Sequence, residues 1–273
     1  PITPDVQERN NIGALPRYSW MPDGRSILIP EGGKLRRLDI ASGNVSTIPF
    51  SARVEQVISE QANTPIRVAD GPLDVHMLRY HTASPDGRVL AFVAVGKIWL
   101  KELPNGKPRR LTAADFAADE YAPAWSPDGQ WLAYTSWSDV DHGHVWKIPR
   151  AGGTPVRLSQ VPGMYLNPTW SPDGARLVVA RGTGEMLRGR MPSDEVSFTL
   201  ESVPAAGGAA QPIVEVTSRG GKVVAPKFGP GGRIFYLETS RGSGAVLRSV
   251  RPDGLDERRH MILDAADEAS PSP

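Results

Sequence analysis

Short hydrophobic segments alternate with turn-forming residues along almost the whole chain. Val89 to Val93 is a continuous apolar run, whereas apolar and charged residues alternate from Lys97 to Lys101. Segments of this length and pattern are typical of β-strands, and turns containing Gly or Pro separate them. No apolar run in the chain approaches the roughly 20 residues that a membrane-spanning helix needs. The pattern therefore predicts an all-β protein built from many short strands.

A recurring turn motif groups these strands into repeats. An aromatic residue (alanine in the second copy) precedes Ser-Pro-Asp-Gly or a close variant, and a short apolar run follows it. The Asp position lies at residues 23, 86, 128 and 173, and Gly231 occupies it in a degenerate fifth copy, so the intervals are 63, 42, 45 and 58 residues. A spacing near 42 with two insertions matches a four-stranded blade of roughly 40 to 50 residues. The repeats therefore predict a β-propeller of four-stranded blades.

Each repeat divides into four strands. In the third copy the first strand runs from Tyr121 to Trp125, the second from Trp131 to Thr135 and the third from His144 to Ile148. The fourth strand is the most polar, as expected of an outer edge, and it is predicted at Pro108–Thr112, Pro155–Ser159 and Arg258–Leu263. We predict one propeller domain over residues 1–273, with repeats at 15–50, 51–112, 119–159, 163–216 and 221–263 and the start of another at 264–273.

The last two residues bear on the extent of the repeat. Ser272-Pro273 lies where the next Ser-Pro-Asp-Gly motif is due. A propeller hides its strand edges by closing the ring, so a chain is not expected to stop inside a blade. We therefore expect a truncated sixth repeat in an incomplete chain, cut from a longer protein. The alternative is a tail that ends in Ser-Pro by coincidence.

The repeated motif residues are predicted to be architectural. Pro presets φ, the Asp carboxylate accepts hydrogen bonds from nearby backbone N–H groups, and Gly adopts a positive φ without strain. Asp at this place could instead bind a ligand, but a residue that recurs once per blade indicates a turn. Trp20, Trp125 and Trp170 are likewise expected to pack between neighbouring blades rather than to stack on a ligand.

Two insertions interrupt the period. Residues 51–79 contain two strand-like runs, Arg53–Ile58 and Ile66–Val68, and predict an enlarged blade or a projecting hairpin. Residues 182–197 separate the second and third strands of the fourth copy. The charged residues in or beside this second insertion are Arg181, Arg188, Arg190, Asp194 and Glu195. A long charged loop on a rigid scaffold indicates either function or a domain contact. The alternative is a solvated hairpin.

Composition excludes several classes of function. The chain has 31 Lys and Arg against 30 Asp and Glu, so no charge excess favours binding to nucleic acid or to an anionic membrane. It has no Cys, which excludes disulfides and thiolate metal sites. The first residues, Pro1 to Asn11, are polar and do not resemble a secretion signal.

The sequence contains no recognisable catalytic, cofactor or metal site. Gly-x-Ser-x-Gly and Walker motifs are absent, and Gly182-Thr183-Gly184 lacks the third glycine of a dinucleotide-binding loop. His142-Gly143-His144 could begin a metal site, with Asp139 and Asp141 close by in sequence. Because this segment is aligned with the hairpin end of an ordinary blade, we favour a turn whose histidines are solvated or hydrogen-bonded.

The longer motif resembles a known repeat. Tyr121 to Gly129, Tyr-x-Pro-x-Trp-Ser-Pro-Asp-Gly, and nearly so Tyr165 to Gly174, resemble the TolB-type, WD40-like propeller repeat. The similarity is closer still to propellers that precede the amidohydrolase domain of large bacterial proteins. The segments that suggest it are Gly32 to Leu35, Ile48 to Phe50, Leu103 to Thr112 and Gly143 to Lys147.

This resemblance implies an exported or periplasmic parent with a downstream amidohydrolase domain. Such a domain would hold Zn or another divalent metal and act on peptides or small amides. No position of this chain matches its metal ligands, so the propeller would be a non-catalytic docking or substrate-gating domain. Two alternatives stay open. One is a stand-alone TolB-like periplasmic propeller that binds proteins, and the other is the propeller of a serine oligopeptidase.

Overall fold

The structure is a computed structural model of the chain. It describes residues 18–31, 33–56, 71, 74–182, 197–218, 224–240 and 243–263. The chain divides into two compact units, residues 1–74 and 75–273. Within the described ranges, the strands form five four-stranded sheets, one in the first unit and four in the second, and strands that follow one another in a sheet pair antiparallel. The all-β prediction is confirmed, and each sheet has the order expected of a blade.

The first unit contains one such sheet. Its strands are β1 Ser19–Trp20, β2 Ser26–Glu31, β3 Lys34–Asp39 and β4 Val45–Ile48. Most of its described side chains are exposed or half-buried. Trp20 is 59% exposed, so the expectation that it packs between blades is wrong for this copy. Trp20 ends a strand of only two residues, which offers little surface to cover an indole ring.

The second unit contains the other four sheets. The strands of its first two sheets are β5 Arg79–Ala83, β6 Val89–Ala94, β7 Lys97–Glu102, β8 Arg109–Arg110, β9 Asp119–Trp125, β10 Trp131–Ser138, β11 His142–Pro149 and β12 Val156–Arg157. Those of the next two are β13 Met164–Trp170, β14 Arg176–Gly182, β15 Ser197–Pro204, β16 Gln211–Thr217, β17 Lys227–Phe228, β18 Ile234–Ser240, β19 Ser243–Val250 and β20 Arg258–Leu263. A 3-10 turn, Pro230–Gly232, separates β17 from β18.

Apolar side chains fill the space between successive sheets of the second unit. One cluster joins Val89 and Ile98 to Leu132 and Tyr134 of the next sheet, and two further clusters repeat this arrangement along the chain. A second strand therefore buries both of its faces, which is why β6, β10 and β14 are nearly continuous apolar runs. The second and third strands accordingly lie where the sequence predicts them.

The outer strands differ more from the prediction. β8 and β12 pair over only two residues each, within the longer predicted segments Pro108–Thr112 and Pro155–Ser159, whereas β20 has the predicted bounds. The strand predicted at Arg53–Ile58 is wrong for residues 53–56, which have no regular structure. Arg53 there pairs with Glu55 at 2.6 Å, and Val54 is 79% exposed, so this segment buries no apolar face. Residues 57–58 and the strand predicted at Ile66–Val68 lie outside the described residues.

The Ser-Pro-Asp-Gly motif forms the same hydrogen-bonded turn in three sheets. In the third sheet, Ser126 Oγ donates to Asp128 Oδ1 at 2.5 Å, and the backbone N–H of Gln130 donates to the same oxygen at 3.0 Å. Ser126 Oγ also accepts from the N–H of Trp131 at 2.9 Å, and Gly129 has φ 67°. Ser84 and Asp86, and Ser171 and Asp173, repeat these contacts. The architectural interpretation of the motif is therefore confirmed.

The Asp carboxylates of these turns are expected to make the fold less stable in acid. The Ser84 hydroxyl and the N–H of Arg88 lower the pKa of Asp86 to about 2, and the equivalent donors lower those of Asp128 and Asp173. A carboxyl whose pKa is lower in the folded state stabilises the fold above its unfolded pKa, and that stabilisation disappears as the pH falls through the folded value. We therefore expect urea unfolding midpoints to fall between about pH 4 and pH 2, and to fall less in Asp128→Asn and Ser126→Ala. Equal acid sensitivity in D128N and the parent chain would contradict this account.

Candidate functional site

The first strands of the second unit's four sheets, together with the turns that follow them, enclose a concave feature with polar groups from several sheets. This inner-strand cavity has a volume of about 470 Å³. Its wall is formed by residues of β5, β9, β13 and β17 and by Pro85, Ser126 and Pro127 of the adjoining motif turns. A volume of this size is within the range of small-molecule and peptide-side-chain sites, about 300–1,000 Å³. We take this cavity as the candidate functional site.

A backbone bulge shapes the cavity wall once in each of three strands. Tyr80, Ala122 and Asn167 have positive φ values of 51°, 47° and 44°, and the strand register shifts at each of them. All three lie four residues before the motif Ser. A non-glycine residue in this region is strained, and bulges of this kind redirect side chains next to binding sites.

A short sequence feature marks the bulge, and the alternation of apolar and polar residues in the strands does not reveal it. Pro123 and Pro168 follow the strained residue in two of the strands, and His81 takes the same place in the third. Proline inside a strand is confined to edges and bulges because it has no N–H to donate to a ladder. The x-Pro pair before the motif is therefore a sequence signal for the cavity wall, one that the predicted pattern of strands and turns does not contain.

Tryptophan side chains join successive first strands at this wall. Trp125 Nε1 donates to the carbonyl of Thr82 at 3.3 Å, and Trp170 Nε1 donates to that of Ala124 at 3.0 Å. Both indoles are 9% exposed. The expectation that these two residues pack between blades is therefore confirmed. In the fifth copy Phe228 holds the equivalent position and has no N–H to donate.

Polar groups on the wall come from several sheets. Tyr80 and His81 belong to the second sheet, Asn167 to the fourth and Lys227 to the fifth. The Asn167 side-chain amide donates to the carbonyl of Val224 at 3.1 Å, which fixes its orientation. The Tyr80 ring makes an edge contact with Tyr121, with centroids 6.4 Å apart. No Asp or Glu is present among the described residues that line the cavity.

The two candidate metal-binding histidines have separate roles at the start of β11. His144 is buried, and its Nδ1 lies 3.0 Å from Ser159 Oγ, which also accepts the N–H of Val145. Burial lowers the pKa of His144. His142 has φ 59°, and its ring contacts Trp137 instead, with centroids 5.6 Å apart. The hydrogen-bonded state predicted for these histidines is found at His144. The predicted turn is wrong for both histidines, because they belong to β11 and the turn lies just before them at residues 139–141.

The described residues do not fit a divalent metal site. Across the described ranges, no three or more His, Cys, Asp or Glu side chains are grouped so that they could share an ion. A metal of the kind implied by the amidohydrolase resemblance would therefore have no ligand set in this part of the molecule. Nor does any helix in the described ranges have the length and apolar character needed to cross a membrane.

The charged insertion begins beside a half-buried ion pair. β14 ends at Gly182 and β15 begins at Ser197, so the insertion lies between the second and third strands of its sheet, as predicted. Arg181 Nη1 is 3.2 Å from Glu201 Oε1, and its guanidinium lies 6.0 Å from the ring centre of Tyr165. Burial raises the pKa of Tyr165 to about 12. Arg188, Arg190, Asp194 and Glu195 lie outside the described residues.

Curated proteins similar in sequence include peptidases. An uncharacterized peptidase, YuxL of Bacillus subtilis, is 28% identical over 127 residues, which is 42% of this chain and 19% of that protein. An uncharacterized protein of Agrobacterium fabrum is 28% identical over 177 residues, 63% of this chain and 50% of that protein. Tricorn protease homolog 1 of Streptomyces coelicolor is 28% identical over 229 residues, 66% of this chain and 20% of that protein. The chain thus spans half or less of the length of these relatives.

Solved structures with a similar fold include a TolB protein, a peptidase and a lyase. A candidate TolB from Agrobacterium tumefaciens superposes with TM-score 0.51 at 19% identity, over 89% of this chain and 79% of that one. A puromycin-hydrolyzing peptidase of Mycobacterium tuberculosis gives 0.52 at 18%, over 93% and 38%. Oligogalacturonate lyase of Vibrio parahaemolyticus gives 0.51 at 12%, over 90% and 64%. At these identities the likeness concerns the fold alone. No family model matches the chain.

Proposed function

We propose that this chain is the non-catalytic β-propeller part of a larger hydrolase that acts on peptides or related amides. The observation that supports this most is its similarity to a peptidase and a tricorn protease homolog, of each of which it spans about a fifth. Each described sheet would be one blade, and blades outside the described residues would complete a closed ring. The TolB-type resemblance adds a periplasmic or secreted location to the proposal.

In this proposal the propeller docks on the catalytic domain and restricts which substrates reach it. The inner-strand cavity lies where the first strands meet, the place through which a substrate would pass along a propeller axis. Its wall is rigid, because prolines line it and indole hydrogen bonds join its strands. The catalytic class of the parent is the finer part of the proposal. The names of the relatives support a peptidase, the motif resemblance supports a Zn-dependent amidohydrolase, and a serine oligopeptidase is the alternative.

Inhibition of the native full-length protein distinguishes these classes. The protein, isolated from its source, is assayed on fluorogenic peptides with an organophosphate in one arm and a chelator in another. Irreversible loss of activity with the organophosphate indicates a serine peptidase. Loss with the chelator that Zn restores indicates an amidohydrolase. A native mass near 29.5 kDa with no hydrolysis would overturn the proposal.

Substrate gating has its own test in the same full-length protein. His81 lines the cavity and is exposed, so His81→Trp narrows the passage without disturbing a buried position. We expect hydrolysis of peptides longer than about ten residues to slow severalfold more than hydrolysis of dipeptides, because only an extended chain must pass the constriction. Ala175→Trp places the same side chain on an exposed motif turn outside the cavity and serves as the control. Equal slowing of short and long peptides would contradict gating.

A stand-alone TolB-like propeller that binds other proteins is the second candidate. The candidate TolB from Agrobacterium tumefaciens favours it, because the superposition covers 79% of that chain. In this case the cavity face would be a protein-binding surface and no hydrolytic domain would be attached. A 29.5 kDa native protein that copurifies with a stoichiometric partner would support it.

A further inference from the structure

We propose that a cleft between the third and fourth sheets binds the guanidinium group of an arginine side chain that belongs to a peptide. This inter-turn cleft has a volume of about 400 Å³ and lies between the motif turns of the two sheets. The inference rests on the proposed function only for the choice of a peptide as the carrier of the guanidinium. The wall residues on which it depends are Asp128, Trp131, Lys147, Trp170, Asp173 and Ala205.

An arginine of the chain itself occupies the equivalent place between the second and third sheets. Arg150 Nη1 lies 3.2 Å from Oδ2 of Asp86, which is the Asp of the second sheet's motif turn. The Arg150 guanidinium carbon also lies 5.7 Å from the ring centre of Trp125. A carboxylate and an aromatic face are two groups that bind a guanidinium well, the first by ion-paired hydrogen bonds and the second by cation–π attraction. This interface therefore shows which ligand group the arrangement of motif Asp and motif Trp accommodates.

The two interfaces have the same backbone and indole contacts. In each, the motif Trp of the later sheet donates its indole N–H to a carbonyl of the preceding first strand. The backbone N–H of Arg150 donates to the carbonyl of Gln130 at 2.8 Å. The backbone N–H of Ala205 donates to the carbonyl of Ala175 at 2.9 Å, and both acceptor residues directly follow the motif Gly. Ala205 thus holds in the fourth sheet the backbone position that Arg150 holds in the third.

Alanine at this position leaves the motif Asp of the third sheet without a basic partner. Asp128 Oδ1 accepts the two hydrogen bonds of its own turn. Within the ranges that the structure describes, no Lys, Arg or His forms an ion pair with Asp128, whereas Asp86 has Arg150. Trp170 likewise has the Ala205 methyl at the place from which Arg150 reaches Trp125. The inter-turn cleft thus has the carboxylate and the indole of the Arg150 site without its arginine.

The charge of the cleft favours a cation. The described residues that line it include two carboxylates, those of Asp128 and Asp173, and one ammonium group, that of Lys147. Lys147 Nζ lies 4.6 Å from the ring centre of Trp131, and it forms no ion pair with either Asp in the described part of the chain. The two Asp residues are exposed, so a ligand can enter the cleft from solvent at the turns. Binding is therefore expected to be modest in affinity and to weaken as salt is added.

NMR titration of the full 273-residue chain with matched peptides tests the inference. The probes are acetyl-Ala-Arg-Ala-amide, the same peptide with citrulline, a neutral analogue of arginine, and the same peptide with lysine. Binding is followed through the indole N–H signal of Trp170, which Trp170→Phe assigns. We expect the arginine peptide to bind at least about fivefold more tightly than the citrulline peptide, since citrulline has no charge, and more tightly than the lysine peptide, since only a guanidinium is planar and forked. Equal binding of the arginine peptide and either analogue, or no response to any probe, would overturn the proposal.

Variants of the motif Asp locate the binding in the cleft. Asp128→Asn keeps an acceptor oxygen for the turn and removes the charge, so it is expected to weaken binding of the arginine peptide about fivefold. Asp86→Asn is the matched control, because Asp86 is the same motif residue and already pairs with Arg150. It is expected to leave binding of the peptide unchanged. If D128N binds the arginine peptide as tightly as the parent chain does, the assignment to this cleft is wrong.

Exchanging the residues at the equivalent position tests the comparison of the two interfaces. Ala205→Arg supplies the guanidinium from the chain itself and is expected to abolish the response of the Trp170 signal. Arg150→Ala removes the guanidinium from the preceding interface and is expected to produce a second response, at the indole N–H of Trp125. A peptide that still binds to A205R with the affinity of the parent, or an R150A chain without a response at Trp125, would contradict the proposal.

These outcomes are separate from those of the proposed function. The titration needs only the folded chain and no catalytic domain, so an arginine peptide can bind here even if the parent hydrolyses nothing. Conversely, a peptidase parent whose propeller does not distinguish arginine from citrulline would retain the proposed function and lose this inference. Circular dichroism of each variant shows whether the change in affinity is measured on a folded chain.

Discussion

Replacing Glu120 by alanine is expected to lower the free energy of unfolding of the second unit by about 3–5 kcal/mol. The Glu120 side chain is fully buried. Its Oε2 accepts the N–H of Ile98 at 2.7 Å, and its Oε1 accepts the hydroxyl of Thr112 at 2.5 Å. Alanine would leave both donors buried without an acceptor and would leave a cavity in place of the carboxylate. Burial raises the pKa of Glu120, and these two donors oppose that rise.

The measurement is urea unfolding of the full chain followed by circular dichroism, with two comparison variants. Glu120→Gln keeps one acceptor oxygen and is expected to cost about 1–2 kcal/mol. Glu102→Ala changes an exposed glutamate on β7 of the preceding sheet and is expected to change stability by less than about 0.5 kcal/mol. If Glu120→Ala were as stable as Glu102→Ala, the buried contacts between the second and third sheets would be unimportant to the fold.

Trp170→Ala is expected to destabilise the second unit by a similar amount, about 3–5 kcal/mol. The indole is 9% exposed and packs with Leu158, Leu177 and their neighbours between the third and fourth sheets. Its loss would open a large cavity, and it would also remove the hydrogen bond from Nε1 to the carbonyl of Ala124. Because Trp170 also lines the inner-strand cavity, the same change should disturb the wall there.

A phenylalanine at this position separates packing from hydrogen bonding. Trp170→Phe keeps most of the apolar contact. Loss of the indole N–H is expected to lower the free energy of unfolding by about 1 kcal/mol, in addition to the effect of the smaller side chain. Phe228 at the equivalent place in the fifth copy shows that the repeat tolerates this residue. Trp131→Phe is the control, since Trp131 is half-buried and has Lys147 above its ring. A Trp170→Ala protein that unfolds at the parent's urea concentration would contradict the role given to this indole.

The buried contacts also explain why the repeat copies are not interchangeable. The position of Glu120 in the third sheet is held by Tyr165 in the fourth, and that of Thr112 by Ser159. The Tyr165 hydroxyl donates to the carbonyl of Val161 at 2.7 Å, and Ser159 faces His144. At the same position of the repeat, Glu120 therefore places a carboxylate between the second and third sheets, and Tyr165 places a phenol between the third and fourth. The polar contacts between neighbouring sheets therefore differ from one pair of sheets to the next, although the backbone arrangement is the same.

The strands and turns are local features, and the sequence alone predicts them. Each motif turn is closed by bonds between residues at most five apart, such as Ser126 with Asp128 and Trp131, so its geometry follows from those residues wherever the sheet lies. The apolar second strands are equally direct, because burial of both faces requires an uninterrupted run like Val89 to Val93. The period of the motif then predicts four-stranded sheets repeated along the chain.

Only the tertiary structure decided the buried network and the cavity. Glu120 has its donor at Ile98, 22 residues earlier on another sheet, and in the sequence it is one acidic residue among 30. Tyr80 and His81, Asn167, and Lys227 come from three distant parts of the chain and line one cavity because the first strands of separate sheets lie around it. Trp20 holds the same motif position as Trp125 and Trp170, yet it is exposed whereas they are buried. A motif sets the course of the backbone, whereas the burial of a side chain depends on which neighbours the fold supplies.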